Sequence, residues 1–454
     1  MKSKKRFLIA LTLIAPLIGW SNSGFAQDST YFTIKECIEY AMQNNSKIKV
    51  AKYDEEFGKK QIAEVKGRAF PQININGNFE DRLKVPLLII PGFQAPGGGE
   101  GIKMGYKYNS SLSGEVTQMI IDPSFGIGLK AAKQSTLLYQ QQTVQVSEQT
   151  AYNIASAYYQ VIVLQEQLKL LKVNFNNTKK ILEVTELQYK NGVAKSVDVK
   201  RLQVNTNNLE SQIRELTLSL DNAFNNLKFQ MGMPLEEKIA LADTVLVLNE
   251  NEDIAKEVSV ENRIEYQIAK TNLGLQELNT KNNMRSYYPT LTAYGNYGYT
   301  GQGESFGLFR TSGNQWVDYT SSSVGLRLRI PVFDGMQKSA RIQQSKIRTL
   351  QQEENINLLK QSINLEVSNS LAQYKNTRSR IEAEKANVAL AQEVYEITQL
   401  EFREGVSTST DLVEAELSLR QAQNMYTRTL LDLYTARLNH EKSLGNLLIY
   451  LKLK

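Results

Sequence analysis

A five-residue motif, Gly303–Gly307, has the spacing of a hydrolase nucleophile. It reads Gly-Glu-Ser-Phe-Gly, and the G-x-S-x-G pattern exposes a reactive serine on a turn between a strand and a helix. Such a serine needs a general base, and the chain contains a single histidine, His440. The segment also lacks the strand-then-helix pattern around the motif. We therefore predict that Ser305 is not a nucleophile.

His440 and Cys37 are better explained as packing residues. His440 lies 213 residues after Leu227, on the apolar stripe of a predicted helix, and Cys37 lies in the helical stretch IKECIEYAM, where it is expected to be a small buried residue. One histidine and one cysteine exclude the usual His/Cys metal sites. The GGGEG stretch lacks the Lys and Ser/Thr of a phosphate-binding loop. We predict no enzyme activity, no cofactor and no metal.

The N-terminal segment predicts export. Residues 1–26 combine four basic residues, an apolar run and a small-residue cleavage site ending at Ala26, which is typical of a cleaved signal peptide. Its removal would lower the net charge of +6 to +2, so no basic footprint for nucleic acid remains. No later stretch reaches the ~18 consecutive apolar residues of a membrane-spanning helix.

One glycine-centred segment occurs twice in the chain. Thr185–Val199 reads TELQYKNGVAKSVDV, and Thr398–Leu412 reads TQLEFREGVSTSTDL. Six positions are identical at an offset of 213 residues: Thr185/Thr398, Leu187/Leu400, Gly192/Gly405, Val193/Val406, Ser196/Ser409 and Asp198/Asp411. Glycine at the end of a long helix permits the chain to reverse, so we predict two helical-hairpin tips.

The segments around these tips predict unusually long helices. Four of them contain neither glycine nor proline: Leu129–Asn191, Val193–Met231, Met336–Glu404 and Val406–Leu444. Apolar side chains recur at seven-residue steps, in Ile154, Val161, Leu168, Phe175, Leu182 and Tyr189, and 213 residues later in Val367, Tyr374, Ile381, Val388, Tyr395 and Phe402. Such heptads predict coiled-coil packing, and the longer helices would approach ~90–100 Å.

Four stretches between the helices alternate apolar and polar residues: QININGNFE, YNSSLSGEVTQMII, TLTAYGNYGYT and VGLRLRIPVF. This alternation is typical of transmembrane strands with an apolar face toward lipid and a polar face toward a lumen, which makes Arg327 and Arg329 candidate lumen residues. An amphipathic sheet in a soluble domain shows the same alternation. The apolar stretch around Leu87–Ile90 contains prolines on both sides and is predicted to be a loop.

The order of these elements predicts an internal duplication. Each half runs helix, strand, loop, strand, long helix, glycine turn and return helix. We place the first repeat at about 31–232, a connecting segment at about 233–252 and the second repeat at about 253–454. The fold class is therefore mainly α with membrane β, in which long coiled-coil-like hairpins accompany four strands per chain.

Four strands cannot close a membrane barrel, because bacterial barrels begin at eight strands and open strand edges are not tolerated in hydrocarbon. Three chains would supply twelve strands, an even number. If these strands lie in a membrane, several chains must therefore contribute to one barrel, and three of them would make a 12-stranded β-barrel with a bundle of helices beneath it.

In these features the chain resembles the TolC family of outer-membrane efflux proteins over about residues 31–450. The resemblance rests on the YKNGVAKSVDV and FREGVSTSTDL segments, the glycine that ends each return helix, and the FPQI and YPTL stretches before two strands. It implies a homotrimeric channel in the outer membrane of a Gram-negative bacterium, with an α-helical periplasmic tunnel. It also implies docking to a periplasmic adaptor and an inner-membrane transporter, so that the chain is the exit duct of an efflux pump or a type I secretion system.

The resemblance also assigns residues to the tips. The adaptor-docking positions it implies are Gly192, Val193, Ser196, Asp198, Gly405, Val406 and Ser409. Asp411 and Glu414 match acids that ring the periplasmic entrance in the family, and their spacing of three places both on one helix face. Three copies would form a cation-selective ring of carboxylates, whose mutual repulsion raises their pKa values. Without the resemblance, two acids in the first turn of a helix are explained by their favourable interaction with the helix dipole.

The chain departs from some members of the family at the entrance latch, and one alternative function stays open. Where some relatives hold the entrance shut with Tyr and Arg, this chain has Phe402 and Ser407, so the latch is not predicted. A periplasmic adaptor or coiled-coil scaffold without a pore would also explain the heptads, although not two hairpins with two strand pairs. Neither the cargo nor the particular transporter is indicated by the sequence.

Overall fold

The computed structural model describes residues 30–89, 91–92, 102–243, 259–306 and 316–453. The predicted signal peptide, most of the two Gly-rich connections and the end of the predicted connecting segment lie outside the described residues. The repeat boundaries stay predictions.

Two pairs of long helices dominate the described chain. The helices, in chain order, are α1 (Ile34–Asn44), α2 (Ser46–Gly67), α3 (Phe125–Lys190), α4 (Ser196–Met231), α5 (Ile264–Arg285), α6 (Gln337–Arg403), α7 (Ser409–Ser443) and α8 (Leu447–Tyr450). α3 and α4 form one hairpin, and α6 and α7 form the other. A short 3-10 turn, Val260–Asn262, precedes α5.

The heptad prediction is confirmed by the burial of its residues. α3 has 66 residues and α6 has 67, so each is about 100 Å long. Most stripe residues are buried or half-buried, and only Tyr189, next to the first tip, is exposed among them. The stripe therefore packs each long helix against its neighbours.

Four antiparallel strands form one sheet in the order β2-β5-β7-β8. The strands are β1 (Thr30–Phe32), β2 (Gln72–Asp81), β3 (Leu87–Leu88), β4 (Ile102–Lys103), β5 (Tyr108–Ile121), β6 (Ile239–Leu241), β7 (Thr290–Gly303) and β8 (Trp316–Arg329). Because β5 pairs with β7, the two halves contribute to one sheet rather than to two separate strand pairs.

This sheet has one apolar and one polar face, as predicted. The register aligns Ile73, Val116, Ala293, Leu326 and their even-spaced neighbours on one face, and Asn74, Glu115, Thr292, Asn296, Ser323 and Arg327 on the other. The apolar face is open: the side chain of Val324 is 88% exposed. Since the described residues leave most of this apolar face uncovered, it needs an apolar environment outside the chain.

The sheet also has two open edges. β2 and β8 each pair on one side only in the described part of the chain. Unpaired strand edges carry free N–H and C=O groups that another chain can pair with. The sheet is therefore incomplete as a single chain.

The predicted loop near Leu87–Ile90 is partly wrong. Leu87 and Leu88 form β3, which pairs with Ile102 and Lys103 of β4. Proline is tolerated at strand ends, so the flanking prolines do not prevent this two-residue pairing. The pairing extends the hairpin that β2 and β5 begin.

The main core lies where α1, α3, α4 and α7 converge, far from the tips. Its fully buried side chains include Cys37, Tyr158 and Leu227, which confirms Cys37 as a packing residue. Nearby, β1 pairs with β6 in parallel, and the hydroxyl of Tyr158 donates to Oδ2 of Asp243 at 2.6 Å. This core anchors the N-terminal segment to the hairpins.

Among the described residues, none of the helices combines the length and the apolar character needed to cross a bilayer.

Candidate functional site

The first hairpin tip reverses at Gly192, as predicted. Its φ is +77°, a left-handed conformation that side chains other than glycine rarely adopt. α3 ends at Lys190, and the backbone N–H of Val193 donates to the carbonyl of Gln188 at 2.8 Å, which is the Schellman pattern of helix termination. α4 then begins at Ser196.

The second tip repeats this geometry and adds a capping box. Gly405 has φ +76°, and Val406 N–H donates to the carbonyl of Glu401 at 2.8 Å. Thr408 caps α7: its N–H and its hydroxyl donate to Oδ2 of Asp411 at 2.9 and 2.6 Å. These bonds lower the pKa of Asp411, since they stabilise its ionised form.

Asp411 and Glu414 are both exposed in the first turns of α7. In the single chain, the carboxylate of Asp411 completes the capping box of α7, which is the role expected of an acid in a first helical turn. A ring of carboxylates needs neighbouring copies, so the ring and its raised pKa values stay a prediction. The two tip valines, Val193 and Val406, are also largely exposed, as docking residues must be.

The two tips are joined by Ser409, whose side chain is 1% exposed. Its hydroxyl donates to Oδ1 of Asp198 at 2.5 Å, and Nη1 of Arg201 donates to the same hydroxyl at 2.7 Å. Asp198 and Arg201 also form an ion pair at 3.9 Å. The sequence repeat aligns Ser409 with Ser196, whereas the structure brings Ser409 to Asp198 and Arg201.

Further polar pairs continue from this junction between the hairpins. Asn205 Nδ2 donates to Oε2 of Glu416 at 2.6 Å, and Asn174 Nδ2 donates to Oε1 of Gln423 at 2.8 Å. We call this set the polar seam: Asn174 of α3, Asp198 and Asn205 of α4, and Ser409, Glu416 and Gln423 of α7. Four of its residues, Asn174, Asn205, Glu416 and Gln423, were not identified from the sequence, although Glu416 and Gln423 follow Ser409 at seven-residue steps.

Glu416 is the titratable group at the centre of the polar seam. Its side chain is 3% exposed, and this burial raises the pKa of its carboxyl above the ordinary value of 4.5, against the attraction of Arg420. A raised pKa means that the folded chain holds the proton more tightly than the unfolded chain does. The resulting contribution to stability is complete below pH 4.5 and is lost as the pH rises through the folded-state pKa.

Glu416→Gln is therefore expected to stabilise the protein at pH 8. The amide keeps an oxygen that accepts the hydrogen bond from Asn205, and no charge has to be buried. We expect a higher midpoint of thermal unfolding at pH 8, followed by circular dichroism, and a shallower fall of that midpoint between pH 5 and pH 8. The exposed Glu404→Gln change is the control and should alter neither. A lower midpoint at pH 8 for Glu416→Gln would contradict this assignment.

The two latch positions have other roles here. Phe402 is half-buried and packs on an apolar cluster with Leu202, Tyr395 and Leu412. Ser407 lies near the capping box, with its hydroxyl 3.5 Å from Oδ2 of Asp411. Neither residue forms a charged contact between the two hairpins.

The contacts of His440 do not support catalysis. Its Nδ1 lies 3.2 Å from the hydroxyl of Ser370, its ring stacks on Tyr374, and burial lowers its pKa. None of its contacts in the described residues reaches Ser305. The prediction that His440 is a packing residue is confirmed by its burial, and its Nε2 has no hydrogen-bond partner among the described residues.

Comparisons with known proteins agree with this architecture. The profile of the family described as "Outer membrane efflux protein" matches residues 125–233 and 262–446. Outer membrane protein TolC of Escherichia coli (strain K12) is 22% identical over 451 residues, covering 96% of this chain and 86% of TolC. Proteases secretion protein PrtF of Dickeya chrysanthemi is 20% identical over 451 residues, covering 98% of this chain and 93% of PrtF.

A solved structure shares the fold. The CmeC outer membrane channel of Campylobacter jejuni superposes with a TM-score of 0.72 at 16% identity, covering 91% of this chain and 86% of CmeC.

Proposed function

The chain belongs to the outer membrane efflux protein family, and we propose that it is the exit duct through which an efflux pump or a type I secretion system passes its cargo across the outer membrane. The description of the family supports efflux, and the name of the relative PrtF supports secretion. The place of action is the outer membrane of a Gram-negative bacterium, with the long helices in the periplasm.

One observation carries this proposal: the four-stranded sheet has an uncovered apolar face, a polar face and two open edges. Such a sheet is stable in a bilayer only when its edges are paired. Three copies, with β8 of one beside β2 of the next, give twelve strands and leave no edge. The polar faces then line a lumen that continues between the helices.

The tips are proposed to face the pump. Val193 and Val406, with Gly192, Gly405, Ser196 and Asp198 beside them, would dock a periplasmic adaptor that links the duct to an inner-membrane transporter. The docking role that the resemblance implied for Ser409 does not fit its burial between the tips, where it holds the two hairpins together. Asp411 and Glu414 of three copies would ring the entrance and favour cations. In this role the chain acts as a channel and not as an enzyme.

The direct experiment is single-channel recording of the purified, detergent-extracted protein in planar bilayers. Discrete conductance steps with a preference for potassium over chloride are expected, because the narrowest part of the proposed pore is acidic. Chemical cross-linking of the same sample should stop at a trimer.

A well-folded oligomer that neither inserts nor conducts would contradict the channel. The protein would then be a periplasmic adaptor or scaffold, and fractionation would find it outside the outer membrane.

A further inference from the structure

Two arginines lie on the polar face of the sheet, at its end next to the helices. Arg327 and Arg329 of β8 are aligned with Thr292 and Thr290 of β7. Leu328, between them, points to the apolar face because successive side chains of a strand alternate. Both guanidinium groups therefore lie on the side that would face water inside a closed barrel.

Arg327 is held by a specific packing arrangement. A Cβ atom on Gly325 would lie only 2.8 Å from the hydroxyl of Tyr294 and 2.9 Å from its Cζ, so the tyrosine ring covers this glycine. The guanidinium carbon of Arg327 lies 5.0 Å from the centre of the same ring, which is a cation–π contact. Such stacking orients the guanidinium while its N–H groups stay available at the edge.

None of the described residues neutralises the positive charge of this pair. Neither Arg327 nor Arg329 forms an ion pair with any residue that the structure describes. The acid of the neighbouring strands on the same face is Glu115, aligned with Asn296, four residues along β7 from Thr292 and thus about 13 Å away along the strand. Arginine stays charged at any physiological pH.

We propose that Arg327 and Arg329 of the three copies form a basic collar at the base of the barrel lumen, which binds carboxylate or phosphate groups of passing cargo. This collar rests on the proposed function, since only a closed barrel turns the polar face into a lumen. Guanidinium groups bind such planar or tetrahedral anions with two parallel hydrogen bonds. Cargo with an anionic group would therefore pause at the collar.

The collar has an electrical consequence. Asp411 and Glu414 lie at the opposite end of α6, which is about 100 Å long. In a pore with an acidic end and a basic end, ions accumulate inside the pore under one polarity of voltage and are depleted under the other. The wild-type pore should rectify at low salt, and the effect should vanish at 1 M KCl, where the screening length is about 3 Å.

The test measures block of the purified trimer in planar bilayers at about 0.1 M KCl, where charges act over ~10 Å. Inorganic tripolyphosphate is added to the barrel side as the anionic probe. The double variant Arg327→Gln/Arg329→Gln is expected to bind the probe about tenfold more weakly or worse, since charge-assisted hydrogen bonds are lost. It should also rectify less, because only the acidic end of the pore stays charged.

Four further variants separate charge, stacking and folding. Arg327→Lys/Arg329→Lys keeps the charge and should still rectify. If the glutamine variant fails to fold, this variant still tests the role of the charge. Tyr294→Phe keeps the stacked ring and should bind the probe like wild type, whereas Tyr294→Ser should bind it more weakly. Glu115→Gln removes a charge from the same face and should not weaken the block.

The outcomes distinguish the two proposals. A wild-type trimer without any conductance contradicts the channel itself. A conducting pore whose block and rectification are unchanged in Arg327→Gln/Arg329→Gln contradicts the collar alone.

Discussion

Replacing Asp411 by Asn and Glu414 by Gln together is expected to remove most of the cation preference of the pore. Three copies would place six exposed carboxylates around one narrow aqueous entrance, where charges of one sign concentrate counter-ions by ~10-fold or more. We expect the potassium-to-chloride permeability ratio to fall about tenfold, toward unity. The measurement is the reversal potential across a KCl gradient, kept near 0.1 M so that screening does not hide the effect.

The control for this variant is Glu404→Gln, at the turn of the same tip but outside the first turns of α7. It should leave the reversal potential unchanged. Because Asp411 completes the capping box of α7 with Thr408, the single change Asp411→Asn should lower the stability as well, whereas Glu414→Gln should not. An unchanged reversal potential in the double variant would contradict the acidic entrance.

Gly232→Ala is expected to be the most destabilising of the glycine substitutions. Gly232 ends α4 with φ +74°, and an added Cβ would lie 2.9 Å from Cα of Asn45 and 3.0 Å from the carbonyl oxygen of Asn44. These are backbone atoms of the junction between α1 and α2, which cannot rotate away. We expect a loss of about 2–5 kcal/mol from left-handed strain and overpacking together, measured by denaturant unfolding of the detergent-solubilised protein.

Gly192→Ala is the matched control for this effect. Gly192 has nearly the same φ, +77°, but a Cβ atom added there would have no neighbouring atom within 4 Å. It should therefore show the conformational cost alone, about 1–2 kcal/mol. Equal losses at the two glycines would contradict the role of the contact with Asn44 and Asn45.

The hairpins and the faces of the strands could be predicted because they depend on local patterns. A heptad stripe marks the buried side of a helix whichever element packs against it. Neighbouring residues of a strand, such as Ile73 and Asn74, point to opposite faces of the sheet, so the alternation predicts which side chains share the apolar face. Gly192 and Gly405 could be assigned as turns because a left-handed residue at a helix end is a property of the glycine itself.

Other features could not be predicted, because they depend on the relative positions of distant elements. Asp198 and Ser409 are 211 residues apart in the chain, as are Asn205 and Glu416. The repeat aligns Asp198 with Asp411, whereas the structure pairs Asp198 with Ser409. The two-residue strand at Leu87 was missed for a related reason: its stabilising partner, Ile102, follows a long connection.

The sequence alone determined that this protein consists of two long hairpins, each reversing at a glycine, and four strands with one apolar face. Periodicity and glycine conformation act within a few residues of the chain, so they need no tertiary information. Only the tertiary structure decided that β5 joins β7, that Ser409 bridges the tips and that Glu416 is buried. These contacts follow from the axial offset of α7 against α4 and α3, which the packing of whole helices sets and no local pattern records.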